Sequence, residues 1–294
     1  EQQAPVPSWG LARISSRARP GNYSRQPFTY PASAGQGVAI YIFDTGINIA
    51  HKDFNGRSEH GTATCTPRCH PTADIDGHGT HVAGTACGTK FGVAKRARCI
   101  SVKALDDGGQ SRTEELLKGI EWIVNRVQRR PNERAVVNMS ITTGDDKALD
   151  GAILTMAYEF GVVVVVAGGN GGMSACFKSP AKIGHFGTPV ITVGASDEVD
   201  ALTMFSNYGP CVSILAPGTN IISAAGNSTT GSVFMTGTSM STPHVSGAAA
   251  LLLSDNPKLT PMEVKERLID FATPDIVSDA VYETPNKLLF VGQG

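Results

Sequence analysis

The chain has 294 residues, 17% of them charged, and a formal net charge of -1. Charge this sparse and balanced excludes a general electrostatic grip on nucleic acid or on an anionic membrane surface. The 33 glycines follow no period, which excludes collagen-like and linker-like chains and points to tight turns and close backbone approaches.

Residues 1–36, rich in Pro, Ser and Gly, read as an N-terminal arm lying over a domain. The first residue is Glu1 rather than Met, so we expect a processed form from which a signal peptide and a pro-segment have been cut. Beyond the arm, short β-branched or apolar runs predict buried strands at Val38–Phe43, Cys99–Ala104, Val136–Ser140, Val162–Ala167, Val190–Val193 and Val212–Leu215. Between them, Thr113–Arg130 and Asp146–Phe160 carry apolar residues at helical spacing. This alternation predicts an α/β fold: a doubly wound, mostly parallel sheet with helices on both faces, as one domain over residues 1–294. The longest apolar run, Val162–Ala167, is strand-sized and far short of the roughly 18 residues of a membrane span.

In doubly wound sheets ligands bind beyond the carboxyl ends of the strands. Asp44 ends the first predicted strand, Ser140 ends the third, and Asn170 follows the fourth. Three segments stand out: Asp44-Thr45-Gly46, His78-Gly79-Thr80-His81-Val82-Ala83-Gly84, and Gly237-Thr238-Ser239-Met240-Ser241-Thr242-Pro243-His244-Val245. Singly each has an ordinary reading. A strand-end Asp is a turn or cap residue, a Ser before a helical run is an N-cap, and two histidines three apart suit a metal. Zinc would need at least one further ligand, and no HExxH-type glutamate lies between His78 and His81. Six cysteines are compatible with three disulfides and an oxidising compartment, reduced core thiols being the alternative.

Taken together, the order Asp, His, Ser and its flanks resemble the subtilisin-like serine proteases, most closely the proteinase K branch. The resemblance runs from Trp9-Gly10-Leu11-Ala12-Arg13-Ile14 to Pro285-Asn286-Lys287-Leu288-Leu289 and includes Phe205-Ser206-Asn207-Tyr208-Gly209. It implies a serine endopeptidase with Ser239 as nucleophile, His78 as base and Asp44 as its partner, and protein or peptide substrates. His81 and His244 then fall at structural positions. Asn170, in Ala167-Gly168-Gly169-Asn170-Gly171, falls where the family places its oxyanion asparagine. The resemblance also implies a cognate pro-segment as inhibitor and folding aid, a monomer, and a secreted or vacuolar location. A weakly catalytic protein-binding module on the same fold is the alternative.

Subtilases bind peptide as an added strand between two segments. The inner one, usually Ser-Leu-Gly-Gly, is here Ser140-Ile141-Thr142-Thr143, so Thr142 replaces a glycine; Ala167, Gly168 and Gly169 complete this wall. The outer one, Gly108-Gly109-Gln110-Ser111-Arg112-Thr113, lacks the usual Gly-Ser-Gly-Gln-Tyr and contributes Gly109 and Ser111, with Arg112 as a rim charge or a solvated loop residue. A narrowed P1 pocket is expected. Residues 57–76 are longer than in proteinase K and carry Cys65-Thr66-Pro67-Arg68-Cys69-His70, for which a local Cys65–Cys69 disulfide is preferred over a metal site. Cys176 and Cys211 fall where thermostable members place a disulfide, which leaves Cys87 with Cys99. No cofactor is required. The family's tight calcium site would use carbonyls near Thr188 and Val190 and an aspartate, but this chain has Ser213 at the aspartate position, so a weak or empty site is expected. Asn22-Tyr23-Ser24 and Asn227-Ser228-Thr229 fit glycosylation acceptors; Asn138-Met139-Ser140 fits too but lies on a buried strand.

Overall fold

The computed structural model describes residues 1–292. A nine-stranded sheet forms its centre. The parallel strands are β1 (Val38–Asp44), β2 (Ser58–Ala63), β3 (Arg98–Lys103), β4 (Arg134–Met139), β5 (Val163–Ala167), β6 (Ile191–Ser196) and β7 (Ile214–Pro217). After β7 in the chain an antiparallel hairpin, β8 (Ile221–Ala224) and β9 (Ser232–Met235), stands apart from the sheet. Two short strands, β10 (Thr273–Pro274) and β11 (Lys287–Leu288), close the β7 edge. In space the order is β10-β11-β7-β6-β5-β4-β1-β3-β2. Growth of the sheet thus turns from one side of β1 to the other, and the switch point lies between β1 and β4.

Alternation along the central strands builds two cores. Ile40, Ile42, Val136, Val163 and Val165 face one side, together with residues of the helices α1 (Trp9–Ile14), α2 (His78–Cys87), α5 (Thr238–Asp255) and α6 (Pro261–Phe271). Tyr41, Phe43, Val137, Val164 and Val166 face the other, against α3 (Thr113–Gln128) and α4 (Lys147–Phe160). Local chemistry sets the helix ends. Asp146 accepts the Leu149 N–H at 3.0 Å and Gly161 ends α4 in the left-handed region at φ 65°. Thr260 and Glu263 form a reciprocal capping box with Pro261 at the first helical position of α6. Among the described residues no helix is long and apolar enough to cross a membrane.

Four features depart from the sequence reading. β2 has no apolar run, because as an edge strand it buries little. The strand expected at Val212–Leu215 begins at Ile214, since Val212 is taken by a turn onto the Gly209 carbonyl. Helix α6 and the β8–β9 hairpin are elements that the pattern reading did not single out. Within residues 1–36, α1 is buried rather than laid on the surface: its Leu11 and Ile14, and Phe28 farther along the chain, are fully inaccessible core residues. Gly10 lets α1 approach α5, since a Cβ there would lie 2.6 Å from His244 Nε2.

The N-terminal segment is also held by a buried ion pair. Arg13, 1% exposed, donates from Nε to Asp200 Oδ1 at 2.7 Å and from Nη2 to Asp200 Oδ2 at 3.2 Å. Removing one partner leaves an uncompensated buried charge. Arg13→Met should therefore lower the unfolding free energy in urea by about 3–5 kcal/mol; a loss below about 1 kcal/mol, the scale of an exposed pair, would contradict this.

Candidate active site

The register of the sheet levels the ends of its central strands. Ile42 is opposite Asn138 and Met139 opposite Val166, so Asp44, Ser140 and Ala167 reach the carboxyl edge at one height. Asp44 is fully buried, and its Oδ1 accepts the Thr45 N–H at 2.8 Å and the His78 Nδ1–H at 2.7 Å. His78 opens α2. Gly79 behind it lets the helix press on the Asp44 turn, as a Cβ there would sit 2.1 Å from the Gly46 carbonyl. Burial weighs against a protonated His78, but the charge and hydrogen bond of Asp44, followed by Asp76 and Asp74, outweigh it and raise its pKa to about 9.

Asp74 was not singled out from sequence. It is buried and accepts Thr45 Oγ1 (2.8 Å), Gly77 N–H (2.9 Å), Thr80 N–H (2.7 Å) and Thr80 Oγ1 (2.5 Å). One carboxylate thus fastens the Asp44 turn to the first turn of the His78 helix, where the helix dipole favours negative charge. The Asp74-Ile75-Asp76-Gly77 run looks like an ordinary solvated turn, and only burial identifies it.

Ser239 is the second residue of α5, so its N–H has no acceptor within the helix. Pro243, four residues on, has no N–H for the Ser239 carbonyl. Ser140 takes that place: its hydroxyl donates to the Ser239 carbonyl at 2.9 Å, and the Ser239 hydroxyl donates to the Ser140 carbonyl at 3.2 Å. Ser140 Oγ in turn accepts from Asn138 Nδ2, whose Oδ1 takes the Ser246 hydroxyl. In this arrangement the Ser239 hydroxyl is bonded to the Ser140 carbonyl rather than to His78. Asn138 is fully buried in this network.

Asn170 is exposed after β5, and its Oδ1 is held by the Thr238 N–H (2.9 Å) and hydroxyl (2.8 Å). That leaves Nδ2 as the free donor, at the bare face of Gly237, where a Cβ would lie 3.2 Å from it. Asn207, a second residue without a role assigned from sequence, clamps this segment: its Nδ2 donates to the Gly168 carbonyl at 2.8 Å and its Oδ1 accepts the N–H groups of Gly171 and Met173, both at 3.1 Å. A Cβ on Gly169, at φ 101°, would lie 2.4 Å from Asn207 Nδ2. The clamp therefore requires glycine there.

The cleft walls follow from these anchors. Ala167 and Gly168 are buried at the end of β5, and the Gly168 N–H donates to the Val193 carbonyl at 2.8 Å. Ile141 is half-buried against the second core. Thr142 is exposed, but its Cγ2 faces the Gly169 segment, 3.2 Å from where a Gly169 Cβ would be. On the outer wall Gly109 sits in a left-handed turn at φ 73°, and the half-buried Ser111 donates to the Ala104 carbonyl at 2.6 Å. Arg112 is exposed.

The alternative metal readings find no geometry. His78 is turned to Asp44, His81 to the Ile221 carbonyl at 2.8 Å, and His244 to the Met240 carbonyl at 2.8 Å. Burial lowers the pKa of His81 and of His244 to about 4, so both are neutral structural residues. The cysteines are paired as Cys65–Cys69, Cys87–Cys99 and Cys176–Cys211, which removes a Cys65/Cys69/His70 site. The calcium position does not fit a metal either. Ser213 Oγ donates to the Gly184 carbonyl (2.8 Å) and accepts the Thr192 N–H (3.1 Å), and the Thr188 carbonyl is taken by Lys265.

Residues 35–292 match the Subtilase family. The chain is 44% identical over 291 residues to the extracellular serine proteinase of Thermus sp. (strain Rt41A), covering 98% of this chain and 67% of that protein. It is 39% identical over 301 residues to the subtilisin-like serine protease Rho m 2.0101 of Rhodotorula mucilaginosa, covering 97% and 86%. It is 40% identical to the subtilase-type proteinase psp3 of Schizosaccharomyces pombe, of whose length it spans 62%. The crystal structure of a cold adapted subtilisin-like serine proteinase superposes with a TM-score of 0.87 at 37% identity, over 97% of this chain and 98% of that one. The chain therefore belongs to the subtilase family of serine endopeptidases.

Proposed function

We propose that Ser239 is the nucleophile of peptide-bond hydrolysis, with His78 as general base and acid, Asp44 as its orienting partner, and Asn170 with the Ser239 N–H as the oxyanion donors. The observation that carries this is the 2.7 Å Asp44–His78 hydrogen bond at the same edge as the Ser239 helix N-terminus. With Nδ1–H committed to Asp44, Nε2 is the acceptor for the Ser239 proton. Substrate entry would draw the hydroxyl from the Ser140 carbonyl to that nitrogen. As Ser239 Oγ bonds to the scissile carbon, the carbonyl oxygen gains negative charge between the Asn170 Nδ2–H and the Ser239 N–H. His78 then gives its proton to the departing amine, and water repeats the sequence on the acyl-enzyme. Asp74, Asn207 and Thr238 act as positioning residues: Thr238 holds the Asn170 amide, Asp74 ties together the turns that carry Asp44 and His78, and Asn207 clamps the segment that carries Asn170.

The substrate would lie as an extended strand between Ser140–Thr142 and Gly109–Ser111. The Thr142 methyl toward Gly169 supports a P1 pocket narrower than one floored by glycine, and Thr is stiff at χ1. A cognate pro-segment would fill this cleft as inhibitor and folding aid, and the catalytic unit would work as a monomer. Three disulfides favour an oxidising place of action, secreted or vacuolar. Asn22 and Asn227 are exposed and suit glycosylation, whereas Asn138 is sealed in the core.

Three outcomes are expected. Ser239→Ala should abolish peptide hydrolysis and labelling by a fluorophosphonate without unfolding the chain, and Asn170→Ala should cost about 2.7–4 kcal/mol in kcat, the worth of one such donor in a serine peptidase of this family, with KM little changed. Parent-like turnover in Ser239→Ala would refute the assignment.

The second concerns pH. The base must be neutral, and the folded pKa of His78 is raised above the ordinary 6.5 to about 9. Activity should therefore rise with pH, with its limb on the alkaline side of 6.5. The stability from the charged pair has the opposite sense: it is complete below 6.5 and lost as pH rises through about 9. Asp76→Asn keeps an oxygen for the His78 N–H, now 3.1 Å from Asp76 Oδ1, but removes a charge. It should move the kcat/KM limb to lower pH; an unmoved limb would contradict the electrostatic account.

The third is Thr142→Gly. It should raise kcat/KM for Phe or Tyr at P1 by at least about tenfold more than for Ala, because a misfit side chain displaces the scissile carbonyl and about 1 Å costs on the order of 10²-fold. Equal gains at every P1 residue would remove the narrowed-pocket reading.

A further inference from the structure

The loop from Gly184 to Thr188 turns three main-chain carbonyls toward one buried point, and the cation there is a side chain. Lys265, on α6, is 5% exposed. Its Nζ donates to the carbonyls of Gly184 at 2.8 Å, Thr188 at 2.9 Å and His185 at 3.1 Å. All three protons of an ammonium are thereby used. Among the described residues no carboxylate pairs with it; burial lowers its pKa to about 8, and its charge is met by the carbonyl dipoles alone. Ser213, on the strand side, points its hydroxyl at the same Gly184 carbonyl. A cradle of oxygens around a buried positive charge is what a bound cation would create, yet this charge is covalently attached to the chain.

We propose that the Lys265 ammonium is a built-in cation that takes the place of calcium at this loop, so that residues 184–190 are held without a metal. Calcium needs six to eight oxygens at about 2.3–2.6 Å, usually with carboxylates among them. Here the Gly184, His185 and Thr188 carbonyls already serve N–H donors, Ser213 brings no charge, and the ammonium repels a second cation at short range. The arrangement has a consequence that a free ion could not match. Calcium holds a loop only as far as its free concentration exceeds the dissociation constant, whereas a tethered ammonium is present at every concentration of metal. The loop leads through Pro189 and Val190 into β6, whose Val193 carbonyl receives the Gly168 N–H of the cleft floor at 2.8 Å. Lys265 is thus a positioning residue for that strand, remote from the reacting atoms.

The test uses the full chain in a Ser239→Ala background, so that self-digestion does not enter, and reads Tm and amide hydrogen exchange of residues 184–190 in EDTA and in excess calcium. The Lys265-bearing protein should give the same exchange in this segment under both conditions. Lys265→Met should lose protection there and drop in Tm by roughly 5–10 °C, as carbonyls are left unpaired, and calcium should not restore it. Adding Ser213→Asp to Lys265→Met frees the carbonyls and supplies a carboxylate; calcium should then recover protection of 184–190 and raise Tm. Calcium-dependent protection of this segment in the Lys265-bearing protein overturns the proposal, and that comparison stands even if Lys265→Met fails to fold. Unchanged exchange and Tm in Lys265→Met overturns it as well. Calcium binding elsewhere would alter Tm but not this local exchange.

Discussion

Parallel strands offer side chains for chemistry where their hydrogen-bond ladder stops, and in this chain the ladders of β1, β4 and β5 stop level. The pairing of Ile42 with Asn138 and of Met139 with Val166 puts Asp44, Ser140 and Ala167 on one rim. Both sequence-distant helices then begin over that rim, α2 with His78 and α5 with Ser239 next to its start. A shift of one residue in any of these ladders would turn Asp44 or Ser140 to the opposite face of the sheet. Two fully buried faces prevent such a shift, because it would also exchange Ile40 and Ile42 for Tyr41 and Phe43 in cores of different shape.

Around the rim, groups that face the cleft are held by polar groups that do not. Asp74 ties the Asp44 turn to the His78 helix, Thr238 fixes which end of the Asn170 amide is free, and Asn207 secures the glycine segment between them. The pair of Ser140 and Pro243 is the clearest case. A proline inside a helix leaves a carbonyl without its donor, and here that carbonyl belongs to Ser239 and receives the Ser140 hydroxyl. What would be a defect elsewhere in the helix fastens the backbone of Ser239, the proposed nucleophile, to the end of β4. Donors fixed before substrate arrives need no reorganisation during the reaction.

Loops and turns are repeatedly held by buried lysines that donate to main-chain carbonyls. Lys265 holds the 184–188 loop, Lys95 donates to Gly92 at 2.8 Å and Thr89 at 3.2 Å, and Lys103 reaches the Thr45 carbonyl while pairing with Asp107 at 2.8 Å. Lys95 also lies 5.2 Å from the Phe28 ring, joining the N-terminal segment to the loop after α2. Loop carbonyls buried without such donors would each carry a desolvation cost, so these lysines let irregular backbone be buried at all.

Residue types and apolar patterning carry the frame and point to the site. Asp44, His78 and Ser239, the proposed orienting acid, base and nucleophile, stand in short segments whose residue types have few other uses together, and the buried parallel strands are written as continuous apolar runs because both faces are covered. Local capping signals stand at Asp146 and at Thr260–Glu263 as well. Other features arise from contacts that are not local. β2 carries no apolar signature because an edge strand is defined by its neighbour. Helix α1 has only six residues, too few for a period, and is made by burial against α5 and the Arg13–Asp200 pair 187 residues apart. Asp74, Asn207 and Lys265 are of residue types that usually face solvent. Each acquires its role from partners brought close by folding, and a buried polar group takes its meaning from those partners alone.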